Sequence, residues 1–499
     1  MSIFTQSLID GLCLPLLRVC YPCKTFLVSL LTRDSEARLT AAFAAGRDAD
    51  DAHKPYHIIM SGFEASAACA EMMDRIDPLA QFRHRFQIPT VEGRQQVYFL
   101  GNSLGLQPVT VRQQVDRILG QWSQLGVEAF FHADLPWMEL PSLSYPVLSK
   151  IIGCLPTELT VMSQLTVNLH LLMASFYQPK AHRYKILCEA KAFPSDQYMM
   201  ASQVRLHGYD PNQAIIEVSP PPGEHCIREQ DILEAIDQHA DSLALIFWGG
   251  VNYYTGQVFD MAAIAHAAHQ AGARVGFDLA HAAGNIPLAL HDWDVDFAAW
   301  CHYKYLNGGP GAVAGAYVHE RHHAEAQTPR LNGWWGNDPQ TRFEMAKAHQ
   351  PSPTAEAWQV STPSPILHAC LQASLDLFAE AGWDRIQEKT LRLSQWLRFL
   401  LDQIEDKFPD KGFHCITPRQ AHGCQASLLT GANGKKMFDC LTSEGIFADW
   451  REPNVIRLAP VPLYNSFSEV WRCYEVFCHF LSTAHSDQLC PFWPIQRVT

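Results

Sequence analysis

A lysine and an aspartate define the chemistry that this chain could carry out. Lys304 lies in CHYKYLNGGPG, which opens at Cys301, and Asp278 lies upstream with His281 in GFDLAHAAGN. An amine near one strand end and a carboxylate at the next suit a cofactor held at both poles. The lysine would bond covalently to an aldehyde, and the aspartate would keep a pyridine nitrogen protonated so that the ring accepts electrons. That is the chemistry of pyridoxal 5'-phosphate. Each residue alone is ambiguous: a lysine before Asn307-Gly-Gly-Pro-Gly also suits a surface turn, and an aspartate after a strand also suits a helix cap. Together they bracket one crossover, which neither bland reading accounts for.

A phosphate also needs a home. SQLTVN, from Ser163, supplies one if Thr166 opens a helix, because the first N–H groups and the helix dipole favour an anion. In FPSD, Phe193 could stack on a flat ring while Ser195 and Asp196 bond to its edge, although Pro194 with these residues also reads as a plain turn.

The elements that would position these groups alternate between helix and strand. Val111, Val115, Ile118, Leu119, Trp122 and Leu125 keep helical spacing, and a second helix follows Leu165 through Asn168, Leu171, Leu172 and Phe176. Strand-like runs occur at Tyr184 to Cys188, Leu243 to Trp248, Arg274 to Phe277 and Ala312 to Val318. The alanine-rich helix former from Met261 to Ala271 lies between two of them, which predicts an α/β fold with a mainly parallel sheet flanked by helices. Ligands in such sheets gather at the carboxyl ends of the strands, where Asp278 falls. Further on, helices at Pro365 to Ala381, Ile386 to Phe408, Lys435 to Glu444 and Ser468 to Leu481 mix with short strands at Cys424 to Leu429 and Val455 to Leu458. This texture predicts a smaller α+β C-terminal domain.

The expected organisation is an N-terminal extension over 1–59, disordered or a misplaced start, then a large cofactor-binding domain over 60–355 whose N-terminal segment contributes to the small domain. The small domain follows over 356–485, with a tail over 486–499. The stretch from Leu8 to Leu31 is apolar, but Asp10, Arg18, Lys24, Pro15 and Pro22 interrupt it, short of the ~20 apolar residues a spanning helix needs. It also lacks the positive n-region of a signal peptide. The Cys20 and Cys23 pair has redox-motif spacing without a strand-then-helix setting, which argues against a reactive thiolate.

Bulk composition excludes other classes. With 499 residues, 47% hydrophobic, the chain can bury one large core and a smaller one, and its net charge of -13 argues against nucleic acid or an anionic membrane as a partner. Fifteen cysteines without repeating spacing read as reduced thiols of a cytoplasmic protein. His319, His322 and His323 in HERHH raise metal binding, but without carboxylate or cysteine ligands at suitable spacing they read as a solvated loop, and no metal is expected.

Seven stretches in one order carry a family resemblance: FLGNSLGLQP from Phe99, LTVNLHLLM from Leu165, EAKAFPSD from Glu189, YTGQ from Tyr254, GFDLAHAAGN from Gly276, HDWDVDFAAWCHYKYLN from His291 and RLAPVPLYNSF from Arg457. From about Asp77 to near Leu481 the chain resembles the kynureninase family. The resemblance implies a pyridoxal phosphate enzyme of fold type I, aspartate aminotransferase-like, that hydrolyses L-kynurenine to anthranilate and L-alanine. By matching motifs it implies Lys304 as the covalent lysine and catalytic base, Asp278 as the partner of the pyridine nitrogen, and Phe193 as the stacking ring. Leu165, Thr166, Tyr254, Tyr303 and His281 would surround the phosphate, with Pro194, Ser195 and Asp196 also on the cofactor. Tyr254 is in addition the candidate acid for Cβ. Arg457 would hold the substrate carboxylate, a task suited to a planar bidentate donor, with Ser103 beside the substrate. Trp334, in NGWWGND, and Thr362, in QVSTPSP, would reach the site of the second subunit of a homodimer.

Two departures from the family pattern stand out. Gly249, in FWGGV, replaces a serine hydroxyl near the cofactor. Phe130 and Thr362 occupy the positions that separate kynurenine from its 3-hydroxy derivative, and offer fewer partners for the extra hydroxyl. A cysteine desulfurase or aminotransferase of the same fold would share the lysine and aspartate, but a desulfurase also needs an exposed thiolate on a mobile loop. A noncatalytic cofactor-binding regulator would have no use for Tyr254 and Arg457 beside an intact Lys304.

Overall fold

The computed structural model describes residues 62–323 and 328–483, within a compact unit that begins at Met60. The proposed extension over 1–59, its Cys20 and Cys23 pair and the tail over 486–499 lie outside the described residues.

Seven strands form the main sheet: β1 (Leu159–Met162), β2 (Lys185–Glu189), β3 (Ile215–Val218), β4 (Leu243–Gly249), β5 (Arg274–Asp278), β6 (Phe297–Trp300) and β7 (Ala314–Val318). Their spatial order is β1-β7-β6-β5-β4-β2-β3, and only β7 runs antiparallel to its neighbours. The strands are short and almost continuously apolar because both faces are covered. In β4 alternate residues serve opposite cores: Leu245 and Phe247 pack on one face of the sheet, Ile246 and Trp248 on the other. The same split occurs in β6, between Phe297 and Ala299 on one side and Ala298 and Trp300 on the other.

Helices close these faces. They include α3 (Leu165–Phe176), α4 (Pro194–Leu206), α5 (Glu229–His239) and α6 (Met261–Gln270); α1 (Ala67–Arg75) and α2 (Val111–Leu125), whose Ile118 packs in a separate small cluster with Trp137 and Ala369, precede them. The Asp260 carboxylate caps α6 by accepting from Ala263 N–H at 2.9 Å, which starts that helix cleanly after the loop from β4.

A second sheet has the order β8-β9-β11-β10, all antiparallel, from β8 (His414–Cys415), β9 (Ala426–Leu429), β10 (Asp449–Arg451) and β11 (Val455–Leu458). It packs with α8 (Trp383–Lys407), α9 (Gly434–Ser443) and α10 (Phe467–Thr483) around Trp396, Leu400, Ile404, Leu428, Ile456 and Phe477. Cys69, Ala70 and Met73 of α1 join the same core. The intervening α7 (Pro365–Ala381), which a boundary at 356 gives to the smaller part, buries Leu371, Leu375 and Phe378 in the core of the main sheet. The smaller core takes up the chain from Leu393, because only there does an apolar stripe face the second sheet.

The histidines of HERHH do not form a solvated loop. His319 and His322 are buried, and they join a charged network at the amino ends of the parallel strands, away from the cofactor residues. Asp296, fully buried, accepts from His322 at 2.7 Å, His269 at 3.0 Å, Arg321 at 2.8 Å and the Val275 N–H at 2.8 Å. Burial alone would raise its carboxyl, but the His269 and His322 bonds and the Arg321 charge hold it well below the usual carboxylate range. Nearby, Glu158 accepts from Leu155 N–H, Glu320 N–H and His291, and the His319 ring nitrogen facing it accepts from Arg321 N–H. Carboxylates that the sequence scatters from 158 to 296 meet these histidines only through the fold.

Candidate active site

The parallel strands end on one side, and the sequence-predicted residues collect there. β1 runs through Ser163 into α3; β2 ends at Glu189, four residues before Phe193; β4 ends at Gly249; β5 ends at Asp278; and Lys304 follows β6. A cavity of about 450 Å3 opens among them, and its wall includes Thr166, Phe193, Asp196, Asp278, Lys304 and Arg457.

The anion end is built by α3. The helix begins at Leu165 with Gln164 as its cap, so Thr166 is its second residue rather than its opener. The first intrahelical bond is Asn168 N–H to Gln164 C=O at 2.9 Å, which leaves the N–H groups of Leu165, Thr166 and Val167 directed out of the first turn. All three residues lie on the cavity wall. Ser163 just before them, Lys191 before the FPSD turn and Asn307 after the lysine hold φ of 45°, 56° and 50°. Left-handed backbone at non-glycine residues costs energy, and here it recurs where the chain turns around the cavity.

The opposite end is acidic. Asp278 is buried and accepts from Ala280 N–H at 2.6 Å. Burial raises its carboxyl, while the Lys304 charge and the Ala280 bond pull it back down. Asp196 is also buried, and burial together with the neighbouring Asp278 and Glu189 charges pushes its carboxyl well above the ordinary range. Its Oδ1 has no partner in the protein, and neither has Nδ1 of the buried His281. Orphaned polar atoms of this kind mark a place meant for another molecule.

Phe193 is about 40% exposed to the cavity, standing edge-on to Tyr253 with ring centroids 5.2 Å apart. Its position follows from Pro194, which opens α4 where a missing N–H costs nothing, so that Phe193 sits at the cap and Ser195 and Asp196 turn inward. The Lys304 amine lies 6.0 Å from the centroid of the Phe193 ring and 6.0 Å from that of Tyr303. The lysine loop is fixed by a close approach: Gly105 donates to Tyr303 C=O at 2.7 Å, and a Cβ there would fall 2.4 Å from Lys304 C=O. This is the physical reason for the second glycine of FLGNSLGLQP.

Arg457, about 1% exposed, enters from β11. Its Nε donates to Asp449 Oδ1 at 2.9 Å and Nη1 to Tyr253 C=O at 2.6 Å, and Asp449 also accepts from Ser103 at 3.2 Å. Burial lowers the guanidinium's proton affinity and Asp449 restores part of it.

Not every predicted residue reaches the wall. Tyr254, Pro194, Phe130, Trp334 and Thr362 do not line the cavity in the single chain, whereas Tyr253 does. Phe130 packs edge-on against Trp137 at 5.1 Å, and Trp334 stands exposed, donating to Arg342 C=O at 3.0 Å. Conversely, the cavity includes Glu189, Asn102, Tyr253 and Arg451, which sequence reasoning did not single out. A buried acid ending the apolar strand KILCE was the one available signal for Glu189.

The residues fit pyridoxal phosphate: N–H donors of α3 for the phosphate, Asp278 for the ring nitrogen, Phe193 beside the ring, unpartnered Asp196 and His281 atoms at its edge, and Lys304 for the aldehyde. The fold is shared with solved structures, among them a C-DES mutant with glycine covalently linked to its pyridoxal phosphate cofactor, with a TM-score of 0.64 at 17% identity over 80% of this chain and 98% of that one. A cystine C–S lyase in complex with its product cysteine persulfide superposes with a TM-score of 0.64 at 18% identity, over 82% of this chain and all (100%) of that one. A cysteine desulfurase from Thermococcus onnurineus gives 0.64 at 17% identity, over 78% of this chain and 95% of that one. Fold and site together define a pyridoxal phosphate enzyme of fold type I.

Sequence comparison narrows this class. Residues 386–477 match the kynureninase C-terminal domain. The chain is 50% identical to a kynureninase of Flavobacterium psychrophilum over 83% of its length and 98% of that protein, and 49% identical to one of Flavobacterium johnsoniae over 82% and 96%. It belongs to the kynureninase family.

Proposed function

We propose that the chain hydrolyses the Cβ–Cγ bond of L-kynurenine to give anthranilate and L-alanine, in tryptophan catabolism or NAD synthesis. The observation that carries this reading is one cavity lined by Lys304, Asp278 and Arg457, the last held by Asp449, in a member of this family.

Bound pyridoxal phosphate supplies the aldehyde that takes the substrate amine and a protonated ring that accepts electrons from the bonds being broken. Leu165 and Thr166 would hold its phosphate, Phe193 would flank its ring, and Asp278 would keep the ring nitrogen charged. Arg457 grips the α-carboxylate with Ser103 nearby, and Asp449 keeps the guanidinium aimed. Freed Lys304 takes the Cα proton at Nζ. Water adds to the γ-carbonyl, and the Cβ–Cγ bond breaks as the acyl carbon departs in anthranilate, with the bond's electron pair left to Cβ. Cβ takes a proton, and the proton on Lys304 Nζ returns to Cα to complete L-alanine. Tyr254 is the proposed donor to Cβ, since burial raises its phenol and keeps it protonated. Tyr303 is the second candidate, favoured by its place on the cavity wall next to Lys304.

We further propose a homodimer in which Trp334 and Thr362 complete the neighbouring site. Trp334, Phe343 and Phe131 form an exposed aromatic group, with centroid distances of 5.5 and 5.8 Å, flanked by exposed Leu331 and Met345. Apolar patches of this kind mark interfaces. Phe130 and Thr362 favour kynurenine over 3-hydroxy-L-kynurenine, which would yield 3-hydroxyanthranilate. A cytoplasmic location accords with the buried free thiols Cys69, Cys188, Cys301, Cys415, Cys424 and Cys473. No helix among the described residues is long and apolar enough to cross a membrane. Anthranilate release from L-kynurenine by wild type and by Lys304→Ala tests the function. Release by the wild type alone is expected, and equal release by both would remove Lys304 from the chemistry.

A further inference from the structure

Glu189 is about 4% exposed, lines the cavity and takes no part in the steps above. Its Oε2 accepts from Asn252 Nδ2 at 2.8 Å. The other end of the same amide, Asn252 Oδ1, accepts from Tyr254 N–H at 3.0 Å, Thr255 N–H at 2.8 Å and the Thr255 hydroxyl at 3.1 Å. An amide side chain can turn either end outward, and an acceptor on one side fixes which end faces the other. The Glu189 carboxyl thus commits Oδ1 to the backbone donors of the loop between β4 and α6. Burial lifts Glu189 to about 7 despite the Asn252 bond, but the carboxyl accepts that bond whether or not it holds a proton.

The far side of this loop carries the substrate arginine. Tyr253 C=O accepts from Arg457 at 2.6 Å and from Gln425 at 3.0 Å, and Tyr254 C=O accepts from Ser427 at 2.6 Å. Gly249 completes the arrangement. A Cβ there would stand 2.7 Å from Glu189 Oε1, so any side chain would force the carboxyl that holds Asn252 to shift.

We propose that Glu189 is a positioning residue that acts through Asn252 to fix the tyrosine loop against Arg457, and that position 249 is glycine because the Glu189 carboxyl fills its side-chain space. The inference rests on this cavity being the catalytic site. It accounts for the missing serine hydroxyl: the space it would take belongs to a different polar group.

The test uses the holoenzyme, reading amide hydrogen exchange at Tyr254 and Thr255 alongside KM and kcat for L-kynurenine. Glu189→Ala speeds exchange at both amides and raises KM, each about tenfold, the equivalent of one hydrogen bond, with kcat changed less than KM. Glu189→Gln, which keeps an acceptor, stays close to wild type in both. Gly249→Ala mimics Glu189→Ala, yet adds nothing in a Glu189→Ala background, because the group it would strike is gone. Unchanged exchange in Glu189→Ala, faster exchange with unchanged KM, a Glu189→Gln enzyme as impaired as Glu189→Ala, or full additivity with Gly249→Ala would each overturn the proposal. Because exchange is read without substrate, a failure of the kynurenine assignment would leave that arm standing.

Discussion

His302, two residues before Lys304, should make the protein sensitive to mild acid. It is fully buried, with Nδ1–H donating to Val313 C=O at 2.6 Å and Nε2 accepting from the Trp300 indole N–H at 2.9 Å. Both partners suit the neutral ring, and a proton on Nε2 would point at another N–H. Burial accordingly lowers the imidazole to about 4. Since the unfolded value is about 6.5, the unfolded chain binds a proton that the folded chain refuses as pH falls through this window. Stability is therefore complete above about 6.5 and declines on acidification until the folded ring also protonates near 4. At about 1.4 kcal/mol per pH unit the whole window is worth roughly 3 kcal/mol, of which about 2 kcal/mol is lost between pH 7.5 and 5. Urea unfolding of wild type and His302→Gln at these two pH values isolates the term. The variant starts less stable, but should lose about 2 kcal/mol less on acidification. Equal losses would show that His302 is not held neutral, and would undo the account of how the segment leading to Lys304 is anchored.

Two substitutions probe the site itself. Arg457→Lys cannot reproduce donors to both Asp449 and Tyr253 C=O, and should raise KM for L-kynurenine by at least tenfold, from the loss of charged hydrogen bonds worth about 1.5–3 kcal/mol; an unchanged KM in steady-state kinetics would remove Arg457 from substrate binding. Gly105→Ala places a Cβ 2.3 Å from Asn307 Oδ1 and 2.4 Å from Lys304 C=O, so cofactor affinity, followed by titration of the apoprotein with pyridoxal phosphate, should fall about tenfold or more; unaltered affinity would mean the lysine loop yields without moving Nζ.

Much of the architecture was legible because its signals are local. The helices at 111–125, 165–176 and 365–381 announce themselves by apolar spacing and by Ser364 followed by Pro365, and the strands at 243–249 and 274–278 by their β-branched and aromatic runs. The strands Leu159–Met162, Ile215–Val218 and Phe297–Trp300 are four residues each, too short to show a period, and FAAW carries two alanines that favour helix. That β7 runs antiparallel could not be read at all, since it depends on which strands it meets. In the site, Lys304, Asp278 and Phe193 stood out because the proposed cofactor chemistry calls for these residue types, and each lies beside a strand end or turn. Asn102 and Arg451 did not, because each is brought to the cavity by tertiary packing, and nothing in its neighbours along the chain says so; Glu189 had only its place at the end of an apolar strand.

The central claim is that this cavity hydrolyses a carbon–carbon bond. Its most direct test is to quantify every product when purified protein, loaded with pyridoxal phosphate, consumes L-kynurenine. Anthranilate and L-alanine in equal amounts, together matching the substrate consumed, are predicted. A keto acid from transamination in place of alanine, or no turnover by correctly loaded protein, would contradict it.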